Sequence, residues 1–127
     1  MSNYGFVYCL QNLSFPGLYK IGCTERSPTR RAQEISRGTG VPSEYFVVAY
    51  AECGNHEQVE RDVHRRLGEY RTNASREFFA APLGLIGALL RFNPETIAFV
   101  DIDIAPTTMV SVDDMSNPYE SRLRLVA

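Results

Sequence analysis

The sequence predicts an α/β domain: a small, largely antiparallel sheet flanked by helices, followed by an extra C-terminal strand and a tail. Three observations carry the prediction. Residues 4–10 and 18–23 are short apolar runs around a turn-rich gap, the pattern of a hairpin with a long loop. Residues 28–35 and 59–70 carry inward-facing side chains at helical spacing. Residues 44–53, between those two helices, are β-branched and aromatic. At 127 residues the chain makes one domain, large enough for a real hydrophobic core.

In the first strand, Tyr4, Phe6 and Tyr8 alternate with Gly5, Val7 and Cys9, so the three aromatic rings share one face. The gap before residues 18–23 contains Pro16-Gly17, too long for a two-residue turn, and reads as a mobile loop. The first helix starts with Ser27 as N-cap and Pro28 at its first position, and ends near Arg37 with Gly38 as the stop. Its inward stripe is Pro28, Arg31, Ala32 and Ile35, while Arg30 lies about 100° away and faces outward. A guanidinium on an inward stripe needs a partner. Arg31 is either an edge arginine that snorkels or pairs with a carboxylate, or one that lines a cleft for a phosphate.

After the third strand, Asn55 and Gln58 form a capping-box pattern for the second helix. Val59, Val63, Leu67 and Tyr70 face the core, and Glu60 and His64 stack four residues apart on the flank of that stripe. Arg61, Arg65 and Arg66 make the outer side basic. Thr72 to Ser75 are turn-prone, and Phe78 and Phe79 are anchors. Residues 82–92 read as a third helix and residues 97–104 as a strand. That strand suits a sheet edge or a second copy of the chain, so a homodimer stays open. The chain therefore divides into a domain over 1–104 and an acidic, loosely held tail over 105–127.

Charge is unevenly spread. Residues 1–92 hold Lys20 and ten arginines against nine acids, a balance of +2, and residues 93–127 hold two arginines against six acids, −4. The net −2 argues mildly against a nucleic-acid binder, but the distribution leaves a mildly basic core. Cys9, Cys23 and Cys53 form an odd set without a C-x-x-C pair, which reads as reduced thiols in a cytoplasmic protein. No segment reads as a signal peptide or a membrane span.

Phe6-Val7-Tyr8, Lys20-Ile21-Gly22, Arg31 on the following helix, Glu60 with His64, and Arg76-Glu77-Phe78-Phe79 occur in that order. In this the sequence resembles the GIY-YIG endonuclease superfamily, over roughly residues 4–79, and comes closest to its short single-domain branch common in phages. The resemblance implies a three-stranded sheet between helices and metal-assisted hydrolysis of a phosphodiester in DNA. It implies catalytic roles for Tyr8, Lys20, Arg31 and His64, and one Mg2+ (or Mn2+) ion bound through Glu60. Each role has a physical reason. A divalent cation clamps phosphate oxygen and acidifies water. Arg31 offers a fork of donors matched to phosphate. Tyr8 can act as general base if a neighbour favours its phenolate, and Lys20, the only lysine in the chain, is the expected neighbour. Arg30 and Arg71 are the expected nucleic-acid contacts. The first tripeptide departs from the family pattern, with its glycine one position early at Gly5, and the second begins with Lys20 where the family has tyrosine. Two other readings stay open: a non-cleaving nucleic-acid-binding module of the same fold, and a protein-binding inhibitor or adaptor whose acidic tail mimics DNA.

Overall fold

A computed structural model describes residues 3–38, 44–72 and 77–102. The turn-prone residues 73–75, Arg76 and the 105–127 tail lie outside the described residues. The elements run β1 (Gly5–Asn12), β2 (Tyr19–Thr24), α1 (Pro28–Ser36), β3 (Tyr45–Cys53), α2 (His56–Arg66), a single 3-10 turn (Gly68–Tyr70), β4 (Phe78–Phe79), α3 (Leu83–Arg91) and β5 (Thr96–Asp101).

Local chemistry sets the boundaries. Ser27 caps α1 by accepting the Arg30 amide, and Pro28 occupies a first-turn position where its missing N–H is not needed. Asn55 caps α2 by accepting the Gln58 amide. Only half of the capping box forms, because the Gln58 side chain turns away to donate to Asp62 at 2.9 Å. The gap read as a mobile loop is closed by consecutive turns. The buried Asn12 accepts the Ser14 amide on its side chain and the Phe15 amide on its carbonyl, and Gly17 takes φ 81°.

The five strands are antiparallel throughout, in the order β4-β2-β1-β3-β5. The centre is the expected three strands, and β5 is the expected extra strand on the β3 side. β4 extends the other edge with Tyr19 opposite Phe79 and Lys20 opposite Phe78. A two-residue strand shows no period in the sequence, so Phe78 and Phe79 read only as anchors.

Alternation divides the sheet into two faces. Val7, Cys9, Ile21, Ala49 and Ala51 pack with Val59, Val63 and Leu67 from α2 and its end, and with Ile86, Leu89 and Leu90 from α3. Each valine, isoleucine and leucine among them contributes about 1.5–3 kcal/mol on burial. On the opposite face Tyr8, Leu10 and Val47 pack with Ala32 of α1. The candidate site grows from this smaller cluster. No helix among the described residues is long and apolar enough to cross a membrane.

Candidate active site

Tyr8 lies at the middle of the central strand, paired with Gly22 on one side and Tyr50 on the other. Its phenol lies flat across Gly22. A Cβ at that position would come 2.4 Å from Tyr8 Oη and 2.8 Å from Cζ, so only glycine lets the ring pass. The glycine of the second tripeptide is there to make room for the tyrosine of the first. Gly5, the early glycine, has a separate reason: a Cβ there would meet the His56 ring at 2.7 Å and the Thr24 carbonyl at 2.7 Å.

Arg31 reaches Tyr8 from α1 and hydrogen-bonds its phenol oxygen, while its Nη1 also lies 3.4 Å from Glu34 Oε1. Burial raises the Tyr8 pKa above its ordinary value, against the opposing hydrogen bond from Arg31; Glu77 adds to the rise. The neutral phenol is therefore the resting form.

Lys20 is placed differently from the sequence expectation. Its ammonium pairs with Glu77 Oε1 at 2.9 Å and sits 5.2 Å from the Phe78 ring centre. The cation hydrogen-bonded to the Tyr8 phenol is Arg31, on α1. The physical reason is register: Lys20 pairs with Leu10, two residues along β1 from the Tyr8–Gly22 pair. Glu77 thus holds Lys20.

His64 is engaged in the sheet. Its Nε2–H donates to the Ile21 carbonyl at 2.8 Å, while the Ile21 amide donates to the Glu77 carbonyl at 2.9 Å. One side chain and one backbone group thus satisfy the outer edge of β2 where β4 stops. The His64 ring also packs on Phe79, with centroids 5.1 Å apart.

Glu60 projects from the flank of α2 to the outer edge of β2, where its carboxylate hydrogen-bonds the Cys23 thiol. Burial pushes that thiol up to about 12, and Glu60, Glu57 and Glu77 all add to the shift. Cys23 and the Glu34 carboxylate were not found as site residues from sequence. Cys23 carried no signal, but the spacing of Glu34 from Arg30 and Arg31 did.

Arg30 is exposed and lies 4.0 Å from Glu34, on a shallow depression lined by Ser27, Thr29, Gln33 and Arg37 on the outer side of α1. Arg71 is exposed too, its guanidinium 5.1 Å from the Phe79 ring centre. The structure thus brings Tyr8, Gly22 and Arg31 together, sets Lys20–Glu77 beside them, and leaves Arg30 and Arg71 outside.

Residues 5–93 match the T5orf172 domain, a span that runs from β1 through α3. The chain belongs to the T5orf172 domain family. This is a phage-associated domain found in some nuclease contexts. The T5orf172 domain here includes Tyr8, Lys20, Gly22, Arg31, Glu60, His64 and Glu77, and β5 lies beyond it. No curated protein and no solved structure matches the chain significantly.

Proposed function

We propose that the protein is a GIY-YIG-type endonuclease that hydrolyses phosphodiester bonds in DNA, with Tyr8 as general base. The observation that carries this reading is the Tyr8–Gly22–Arg31 arrangement. Three successive elements, β1, β2 and α1, place one phenol oxygen against one guanidinium, over a glycine whose Cβ would strike the phenol at 2.4 Å. Arg31 has five N–H donors, and Tyr8 and Glu34 leave some of them for a phosphate oxygen. Tyr8 Oη would take the proton from the attacking water. Because its resting form is neutral, only a small phenolate fraction serves at neutral pH, and a phosphate drawn to Arg31 weakens the bond that favours that phenolate.

The residues present fit a divalent ion of the magnesium kind. Among the described residues no three His, Cys, Asp or Glu side chains converge as a metal-binding group. A magnesium ion that keeps most of its waters needs only one or two carboxylates, and Glu60 would be the carboxylate that holds it. When bound, such an ion neutralises charge on the phosphate and acidifies water. Lys20, fixed by Glu77, supplies a positive charge at the edge of the site, and His64 holds the β2 edge in place.

The deciding experiment is a cleavage assay on labelled single- and double-stranded DNA, with and without Mg2+ or Mn2+, for wild type and Glu60→Gln. Metal-dependent cutting by wild type and none by Glu60→Gln, with fold and DNA binding retained, is the expected result. Cutting by Glu60→Gln at near wild-type rate in magnesium removes the metal assignment. A non-cleaving DNA-binding module is the second reading, favoured by the burial of Tyr8, and binding without turnover decides for it.

A further inference from the structure

The sheet face that carries Tyr8 extends past α1. Tyr4, Phe6 and Tyr50 form a continuous row there. The Tyr4 and Phe6 ring centres lie 5.8 Å apart at 71°, and those of Phe6 and Tyr50 5.8 Å apart at 76°. Pairing explains the row: Tyr8 stands opposite Tyr50, and Tyr50 opposite Val100, so the surface continues onto β5. Tyr4 is 42% exposed and Val100 37%, while Phe6 and Tyr50 are half-buried. A fixed row of aromatic rings on a sheet is the surface on which unpaired bases stack.

A cluster of arginines adjoins it. Arg26, Arg30 and Arg31 share the single carboxylate of Glu34, at 2.7, 4.0 and 3.4 Å. Three cations on one anion leave an excess of +2 among these four side chains, which Glu25, next to Arg26 in the chain, reduces. Arg26 lies two residues beyond Thr24, which pairs with Phe6, with Glu25 between them, so the cluster begins near where the aromatic row ends. Glu52, opposite Phe6 on β3, accepts the Tyr4 phenol. Its charge keeps phosphates off the rings and so directs a nucleic-acid backbone to the arginine side.

We infer that this face binds single-stranded DNA, with bases stacked on Tyr4, Phe6 and Tyr50 and phosphates held by Arg26 and Arg30, feeding the strand to Tyr8. The inference rests on the nuclease reading for its last step and names the substrate class of that site. A duplex cannot use the surface, because its bases stack on one another and present only their edges.

The test is fluorescence anisotropy of the full chain in EDTA with a labelled DNA single strand, its blunt duplex, and RNA of the same sequence. Single-stranded DNA should bind at least about tenfold more tightly than the duplex. Tyr4→Ala and Phe6→Leu, checked for folding by circular dichroism, should each weaken single-strand binding about tenfold and leave duplex binding unchanged, as expected for loss of one stacking ring. Arg26→Gln and Arg30→Gln should each lower the slope of log affinity against log salt by about 0.7. Duplex bound as tightly as the single strand, RNA bound more tightly than DNA, or folded ring variants that bind like wild type would each overturn the inference. Cleavage with no single-strand preference would remove this inference and leave the nuclease standing. Single-strand binding without turnover would do the reverse.

Discussion

Tyr8 and Gly22 form one packing unit, and that makes Gly22 a sharper probe of the proposed site than Tyr8 itself. A methyl group at Gly22 displaces the phenol from its seat, because the clash is with Tyr8 Oη and Cζ rather than with backbone. Gly22→Ala should therefore fold, lose about 1–3 kcal/mol of stability by overpacking, and lose cleavage far out of proportion to that, read from thermal melts beside rate measurements. The charges around Tyr8 make a second test. With its pKa raised, log rate should climb with pH with unit slope and reach no plateau below about pH 10, the ordinary tyrosine value. Arg31 lowers the Tyr8 pKa and Glu77 raises it, so Arg31→Gln should move the profile to higher pH and Glu77→Gln to lower pH. The lone lysine suggested from composition that Lys20→Arg would move the profile as well. With Lys20 held by Glu77, the profile should keep its position. Profiles that superimpose for wild type, Arg31→Gln and Glu77→Gln would remove Tyr8 from the proton-transfer step.

At the scale of elements, what the sequence made legible follows from how local each signal is. The α1 start could be read because Ser27 and Pro28 act within one turn. The face of Tyr4, Phe6 and Tyr8 could be read because alternation is a property of the strand itself. β4 could not, nor could the Lys20–Glu77 pair, whose partners are 57 residues apart and meet only through the β2–β4 register. The same limit hid the work of His64. Its four-residue spacing from Glu60 suggested chemistry, yet its ring nitrogen donates to a strand carbonyl. His64→Ala leaves the Ile21 carbonyl without that donor, which should cost about 1–3 kcal/mol for an unsatisfied, part-buried group. His64→Gln, with an amide N–H to offer, should recover much of the melting temperature. If His64→Ala melts like wild type while cleavage is lost, the histidine acts on substrate and not on the strand.

On the scale of the whole molecule, the family match and the fold end at different places. The match stops at Asn93, but β5 pairs along β3 from Ala49 to Cys53, and Phe99 packs against the larger core. Asn93 itself is buried, with its amide donating to Asp62 of α2 and its side-chain oxygen accepting the Glu95 amide, so the chain leaves α3 on a fixed path into β5. Removing residues 94–127 would strip the pairing edge from β3 and uncover its apolar residues, an exposed strand edge of the kind that drives aggregation. The charge of the last segment works in another direction. Residues 106–127 carry three acids against two arginines, a net of −1, so removing them takes away a little repulsion of phosphate and no cationic surface that outweighs it. Two truncations separate these effects. A chain ending at residue 105 should keep its melting temperature and bind DNA as well as or better than the full chain. A chain ending at residue 93 should be insoluble or melt at clearly lower temperature. A correctly folded 1–105 chain with markedly weaker DNA binding would show that the tail contributes to binding, and a 1–93 chain as stable as the full protein would show that β5 is dispensable to the fold.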